Sequence, residues 1–164
     1  MRPILSSLEA EYRRYKLLTE AAVHQLDDDQ LSEGSPGVNS IATLMWHISG
    51  NLKSRFTDFL TSDGEKPWRD RESEFLPRRV SKAETLTQWE EGWDVLFDSL
   101  QQLSDNDLSR SVTIRGSALS VPEALHRSLA HVAYHVGQIV FVAKAMRGGE
   151  WEYLSIPPER QQGK

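Results

Sequence analysis

The segment between Ser120 and Gly149 carries a helix signal at each end. Ser120 and Glu123 form the pattern of a capping box, and Pro122 fits the first turn of a helix, where the missing N–H has no intrahelical partner to lose. Apolar residues then recur every three or four positions until Gly148 and Gly149, and glycine is the residue type that most often ends a helix. The segment therefore predicts one long helix that runs to about residue 147.

Caps and periodicity predict three more helices earlier in the chain. The first runs from about Pro3 to Gln25, the second from Ile41 to about Leu60 behind an N-cap at residue 40, and the third from about 81 to 103 behind a second capping box. Four long helices of this kind predict an all-α fold.

Two connections in this pattern are unusual. From Thr61 to Val80 the chain is a polar loop, which is long for a compact domain, and such loops often cover a site. Before the last helix, the β-prone stretches 112–114 and 118–120 flank Arg115, Gly116 and Ser117. This arrangement predicts a short extended hairpin.

Composition narrows the class of protein. The length of 164 residues with 38% hydrophobic residues predicts a single domain over residues 1–164. A net charge of −5 with scattered basic residues argues against nucleic acid as a partner, and no apolar run is long enough for a membrane span or a signal peptide. We therefore expect a cytoplasmic protein. The chain has no cysteine, so any metal must be held by histidine, aspartate or glutamate.

His131 and His135 are the residues that point most directly to chemistry. Their spacing of four places both imidazoles on one face of the last helix, and a helical wheel turns that face inward. Buried imidazoles need partners for their nitrogen atoms, which a metal ion, water or acidic neighbours would supply. The residues alone leave both interpretations open, a half-complete metal site and a hydrogen-bonded structural pair.

His47 is the best candidate for a third metal ligand, because it lies near the middle of the second helix. Asn51 and Arg55 occupy neighbouring turns of the same side, but the wheel places His47 at the flank of the apolar face. That edge is either a polar pocket or a solvated surface. His24 fits a structural role at a helix C-terminus, and His126 lies on the predicted solvent side of the last helix.

Two segments carry a family resemblance. The stretch Trp46-His47-Ile48-Ser49-Gly50-Asn51 together with 131–138, His-Val-Ala-Tyr-His-Val-Gly-Gln, resembles the DinB/YfiT-like superfamily of metal-dependent enzymes, and the likeness covers nearly the whole chain. The resemblance implies a four-helix bundle, commonly dimeric, with a divalent metal held by three histidines that match His47, His131 and His135. The loop 61–72 resembles a subgroup whose reaction is not established.

The resemblance also implies a range of functions. Relatives include transferases that use a low-molecular-weight thiol such as bacillithiol or mycothiol, so we expect a metal-dependent transferase or hydrolase acting on a small molecule. Zinc or nickel is favoured, with iron or manganese as alternatives. Asn51, Arg55 and Gln138 are candidates for substrate binding or for orienting the ligands, and no catalytic residue is assigned.

Two other classes of function remain open at this stage. One is a non-enzymatic metal- or ligand-binding protein of the stress response, and the other is a structural dimer whose histidines bind no metal. The last helix has apolar residues over more of its circumference than one packed face needs. We therefore expect a homodimer.

Overall fold

Six helices and one β-hairpin make up residues 2–34 and 37–156, the part of the chain that the computed structural model describes. The helices are α1 (Pro3–His24), α2 (Asp28–Ser32), α3 (Ile41–Phe56), α4 (Arg71–Glu74), α5 (Lys82–Gln102) and α6 (Val121–Arg147). The all-α expectation is confirmed in this broad form. Over the described ranges, no helix is both long enough and apolar enough to cross a bilayer. Residues 1, 35, 36 and 157–164 of the expected domain lie outside those ranges.

The predicted caps at the start of α5 and α6 are present. Ser81 and Glu84 make a capping box on α5, and Ser120 and Glu123 make another on α6. In each box the serine side chain accepts a hydrogen bond from a backbone N–H that the first helical turn leaves without a partner. The caps fix where both helices begin, and therefore which residues of each helix face the core.

The end of α3 differs from the sequence prediction, which placed it near Leu60. The helix stops at Phe56, because Thr57 is extended and Asp58 has a φ of 49°, in the left-handed region that a right-handed helix cannot contain. Phe59 is nevertheless buried in the core. The apolar pattern beyond Phe56 therefore reflects burial of the turn that follows α3, and not continuation of the helix.

Two short helices, α2 and α4, lie in segments that were predicted as connections. Each is stabilised by an aspartate at its N-terminus: Asp27 accepts a hydrogen bond from the backbone N–H of Gln30, and Asp70 from that of Ser73. Helices of four or five residues are too short to show periodicity. The predicted loop 61–80 is thus partly helical.

Residues of α1, α3, α5 and α6 contribute to one hydrophobic core. Trp89 and Trp93 of α5 are fully buried, as their spacing predicts. The ring of Tyr12 from α1 meets Trp93 edge-on with 6.2 Å between ring centroids, and its hydroxyl donates to the carbonyl oxygen of Leu125 on α6 at 2.8 Å. These contacts connect three of the four long helices.

The backbones of α3 and α5 lie unusually close to each other. A Cβ atom placed on Gly92 of α5 would lie 2.6 Å from the Cα of Ser49 on α3, which is less than real Cβ contacts allow. The hydroxyl of Ser49 also donates to the carbonyl oxygen of Gln88. This close approach determines the position of α3, the helix that carries His47.

The predicted hairpin is present immediately before α6. Strands β1 (Ser111–Ile114) and β2 (Ser117–Ser120) pair antiparallel, and the turn residues Arg115 and Gly116 have φ values of 52° and 73°. Positive φ at both residues is typical of the tight turn whose twist suits a hairpin. Both backbone N–H groups of the turn donate to the carboxylate of Asp63 at 2.9 Å. The hairpin is therefore attached to the loop that follows α3.

Candidate metal centre

Three histidines converge between α3 and α6. One nitrogen atom from each of His47, His131 and His135 can be chosen so that all three lie within 4.8 Å of one another. The Nε2 atoms of His47 and His131 are 3.1 Å apart. The structure thus brings together the three residues that the resemblance selected, although the spacing of the last helix alone indicated only two.

His47 is buried, with 4% of its surface exposed, although the helical wheel placed it at the flank of the apolar face. The loop between α3 and α5 covers that flank: the ring of Phe75 lies against the His47 imidazole, with 4.6 Å between centroids. The solvated-edge interpretation of this position is therefore wrong. The covering residues follow His47 by almost thirty positions, so the wheel of one helix could not show them.

Glu74 of α4 orients the His47 ring. Its Oε2 atom lies 2.8 Å from Nδ1 of His47, and an ionised carboxylate only accepts hydrogen bonds, so Nδ1 carries the proton and donates it. The lone pair of His47 is then on Nε2, the atom that faces His131. A carboxylate behind a histidine is the usual arrangement for fixing the tautomer and orientation of a metal ligand.

Arg69 holds Glu74 in place from the opposite side. Its Nε and Nη2 atoms each donate to one carboxylate oxygen at 2.8 Å, and the arginine side chain is only 2% exposed. Burial raises the pKa of Glu74, but the hydrogen bonds from His47 and Arg69 lower it by more, so the net pKa lies below its usual range. Glu74 is therefore charged at neutral pH, as its role as an acceptor requires.

Gly50 leaves the space that Glu74 occupies. A Cβ atom at residue 50 would lie 2.1 Å from the Oε1 atom of Glu74. Gly50 follows His47 by three positions on α3, so both residues lie on the same side of the helix. The glycine in the segment that carried the resemblance thus has a physical role. Sequence reasoning did not identify Glu74 or Arg69, because their contact with His47 depends on how the loop folds.

Gln138 acts on His135 much as Glu74 acts on His47. Its Oε1 atom lies 2.8 Å from Nδ1 of His135, one turn earlier on α6. As an acceptor there, it leaves the lone pair of His135 on Nε2. The structure thus gives Gln138 a contact suited to orienting a ligand. Nδ1 of His131 is buried and has no hydrogen-bond partner within residues 2–34 and 37–156.

The environment keeps His131 and His135 uncharged. Burial lowers the pKa of His131 to about 3, with smaller contributions from His135 and His47. Burial also lowers the pKa of His135, against a smaller raising effect of Gln138. Neutral imidazole is the form that binds metal ions. At pH 7 both rings therefore have a free lone pair.

The donor set fits a divalent metal ion. Two nitrogen atoms bound to one zinc ion at about 2.0–2.1 Å in tetrahedral geometry are roughly 3.4 Å apart. The 3.1 Å between Nε2 of His47 and Nε2 of His131 is close to that separation. Two of the three rings also have their Nδ1 atoms engaged, which leaves Nε2 for the ion.

A cavity of about 200 Å³ opens beside His47 and His131. Asn51 and Arg55 of α3 both line it, as the polar-pocket interpretation predicts. The guanidinium group of Arg55 is engaged, because its Nη1 atom donates to the carbonyl oxygen of Gly64 and lies 3.0 Å from the Glu65 carboxylate. Arg55 therefore supports the wall of the cavity through the loop.

The remaining two histidines have no part in this cluster. His24 at the end of α1 and His126 in the first half of α6 are both exposed, in agreement with the structural and surface roles expected for them. His126 is therefore a useful control, since it shares a helix with two of the clustered histidines.

Fold and site together define a helical protein with a three-histidine cluster beside a polar cavity. The chain belongs to DUF1572, a family described as a protein of unknown function, whose family profile matches residues 1–160. No curated protein and no solved structure gave a significant match. The family description names no activity.

Replacing Glu74 by glutamine should weaken zinc binding by about 10- to 100-fold, the usual effect of losing a residue that orients a ligand. The amide keeps the shape of the side chain, but it removes the charge that supports the His47 N–H group and pairs with Arg69. Competition with a chelator would measure the affinity. The control is Glu72→Gln, which alters an 87% exposed carboxylate of the same short helix. Equal losses in both variants would contradict the role of Glu74.

Proposed function

We propose that this protein is a metal-dependent enzyme in which His47, His131 and His135 bind one divalent ion, zinc or nickel, with iron or manganese as alternatives. The main support is the convergence of the three imidazoles within 4.8 Å. Glu74 and Gln138 add to it, because they leave Nε2 of two rings free for the ion. A structural cluster would need no such pair of orienting groups.

The proposal includes membership of the DinB/YfiT-like superfamily and its four-helix bundle. Its support is the arrangement of the cluster, with one histidine on α3 and two on α6, one helical turn apart. Four long helices that share one core also agree with it. The bundle would consist of α1, α3, α5 and α6, with the hairpin and the short helices as additions.

The chemistry proposed is thiol transfer or hydrolysis on a small molecule in the cavity. A bound divalent ion with open coordination positions lowers the pKa of a bound water or thiol and polarises an electrophile. The chain has no cysteine, so a thiol nucleophile would have to come from a separate molecule. Its own residues would hold the ion, keep His47 oriented through Glu74 and Arg69, and position the substrate along the wall formed by Asn51 and Arg55.

Turnover by the metal-loaded protein tests this function. The protein would be assayed with an electrophile and a low-molecular-weight thiol such as bacillithiol, mycothiol or cysteine, and separately with an ester in the absence of thiol. We expect turnover in one assay, lost on chelation and in the His47→Ala variant, and kept in His126→Ala, which alters an exposed histidine. Metal binding without turnover in either assay would favour the non-enzymatic binding protein.

We also propose that the protein is a homodimer, as the apolar residues of α6 suggested. The side chains of Tyr134 and Phe141 on this helix are 64% and 74% exposed, and Val38 nearby is half exposed. Light scattering should give the mass of two chains, and Phe141→Asp should shift it towards one by placing a charge in the interface. A single-chain mass for the unaltered protein would exclude the dimer.

A further inference from the structure

The cavity beside the histidines is lined by many positive charges. Arginines from five separate segments contribute to its wall, and no aspartate or glutamate does so among the described residues. They come from α3, the following loop, α4, the hairpin turn and α6, and are Arg55, Arg69, Arg71, Arg115 and Arg127. Such a concentration is unexpected in a chain whose formal net charge is −5.

Three of these arginines are neutralised by carboxylates behind the wall. Glu65 lies 3.0 Å from Arg55 and 2.9 Å from Arg115, so one carboxylate serves two guanidinium groups. Arg69 is paired with Glu74 in the contact that orients His47. These arginines are held in fixed positions as part of the wall, and the two that share Glu65 keep an excess of positive charge.

Arg71 and Arg127 are the least neutralised. Arg71 pairs only with the highly exposed Glu72, and solvent weakens such surface pairs. Arg127 has no carboxylate partner within residues 2–34 and 37–156. Both nevertheless line the cavity. A concave site with an excess of one charge concentrates ligands of the opposite charge, so the cavity favours anions.

Ser128 gives a second, independent indication of a ligand. Its side chain is buried, with 7% of the residue exposed, and its hydroxyl has no hydrogen-bond partner among the described residues. It lines the same cavity as Arg127 and lies three positions before His131 on α6. A buried hydroxyl without a partner is costly unless a ligand or water satisfies it.

We propose that this cavity binds an oxyanion of the substrate, a carboxylate or a phosphate group, through Arg71, Arg127 and the hydroxyl of Ser128. Guanidinium groups suit such oxyanions, since their planar N–H donors match two oxygen atoms at once. Arg127 and Ser128 lie within one helical turn of His131, so the anion is bound directly beside the three histidines. This assignment of the substrate class rests on the proposed function for its catalytic meaning.

Anion binding to the metal-free protein tests the proposal. Inorganic phosphate and acetate would be titrated separately by calorimetry, because they represent the two oxyanion groups. We expect saturable binding that weakens as salt is added, and about tenfold weaker binding in Arg127→Gln and in Arg71→Gln, since each removes a charge-assisted hydrogen bond. The anion that binds more tightly identifies the group that the substrate carries.

The control is Arg14→Gln, which alters an exposed arginine of α1 paired with Glu11 and should bind anions like the unaltered protein. The His131→Ala variant separates this proposal from the proposed function. It should keep anion binding in the absence of metal, even if no variant ever binds a metal. No saturable binding of either anion, or equal losses in Arg127→Gln and Arg14→Gln, would overturn the anion site and leave the metal site unaffected.

Discussion

The His131→Ala variant should bind zinc at least about 100-fold more weakly than the unaltered protein. Removing a ligand should cost more than the 10- to 100-fold loss that follows when a residue behind a ligand is altered. His131 Nε2 faces His47 Nε2 at 3.1 Å, so its removal leaves two imidazoles, which hold an ion weakly. Calorimetry on protein purified without a histidine tag, and first treated with a chelator, would measure the change.

The matched control for this variant is His126→Ala, which removes an exposed histidine five positions earlier on the same helix. It should bind zinc like the unaltered protein. Circular dichroism should show that both variants are folded, because Nδ1 of His131 makes no hydrogen bond with the described residues and its loss breaks none. Zinc uptake by His131→Ala equal to that of the control would refute the site.

The Gly92→Ala variant should be less stable than the unaltered protein by about 2 kcal/mol. The new methyl group would lie 2.6 Å from both the Cα and the Oγ atom of Ser49, and the backbone of α3 would have to move to admit it. Overpacking of this kind costs about 1–3 kcal/mol, which exceeds the gain of up to about 1 kcal/mol in helix propensity. Urea denaturation monitored by circular dichroism would measure the difference.

Gly137→Ala provides the comparison, because a Cβ atom at this position of α6 meets nothing within 4 Å. With no steric cost, only the helix propensity changes, and stability should rise by up to about 1 kcal/mol. Opposite signs for the two glycines are therefore expected. A stabilising effect of Gly92→Ala would show that the approach of α3 to α5 is looser than the structure indicates.

The parts of the fold that sequence predicted correctly are those set by local interactions. The capping boxes at Ser81 and Ser120 depend on residues three positions apart, and the hairpin turn at Arg115 and Gly116 depends on two adjacent residues. The end of α3 was not predicted, because the burial of Phe59 continues the apolar pattern past the last helical residue. Periodicity reports which residues are buried, and a buried turn can imitate one more turn of helix.

The candidate site divides in the same way. The four-residue spacing of His131 and His135 is a property of one helix, and so it could be read from the sequence. The burial of His47 and its contact with Glu74 are not local, because they depend on a loop that folds back over α3. The family resemblance supplied His47, and nothing in the sequence supplied Glu74.

The contact between His47 and Glu74 has a thermodynamic consequence. The loop that carries Glu74 holds His47 in the orientation suited to a ligand, so docking of the loop and binding of an ion at Nε2 are linked equilibria. Linkage is reciprocal: the factor by which the docked loop raises affinity for the ion equals the factor by which the ion favours the docked loop. The ion would therefore also act as an effector of the loop, and protection of residues 57–81 from proteolysis should increase with metal occupancy.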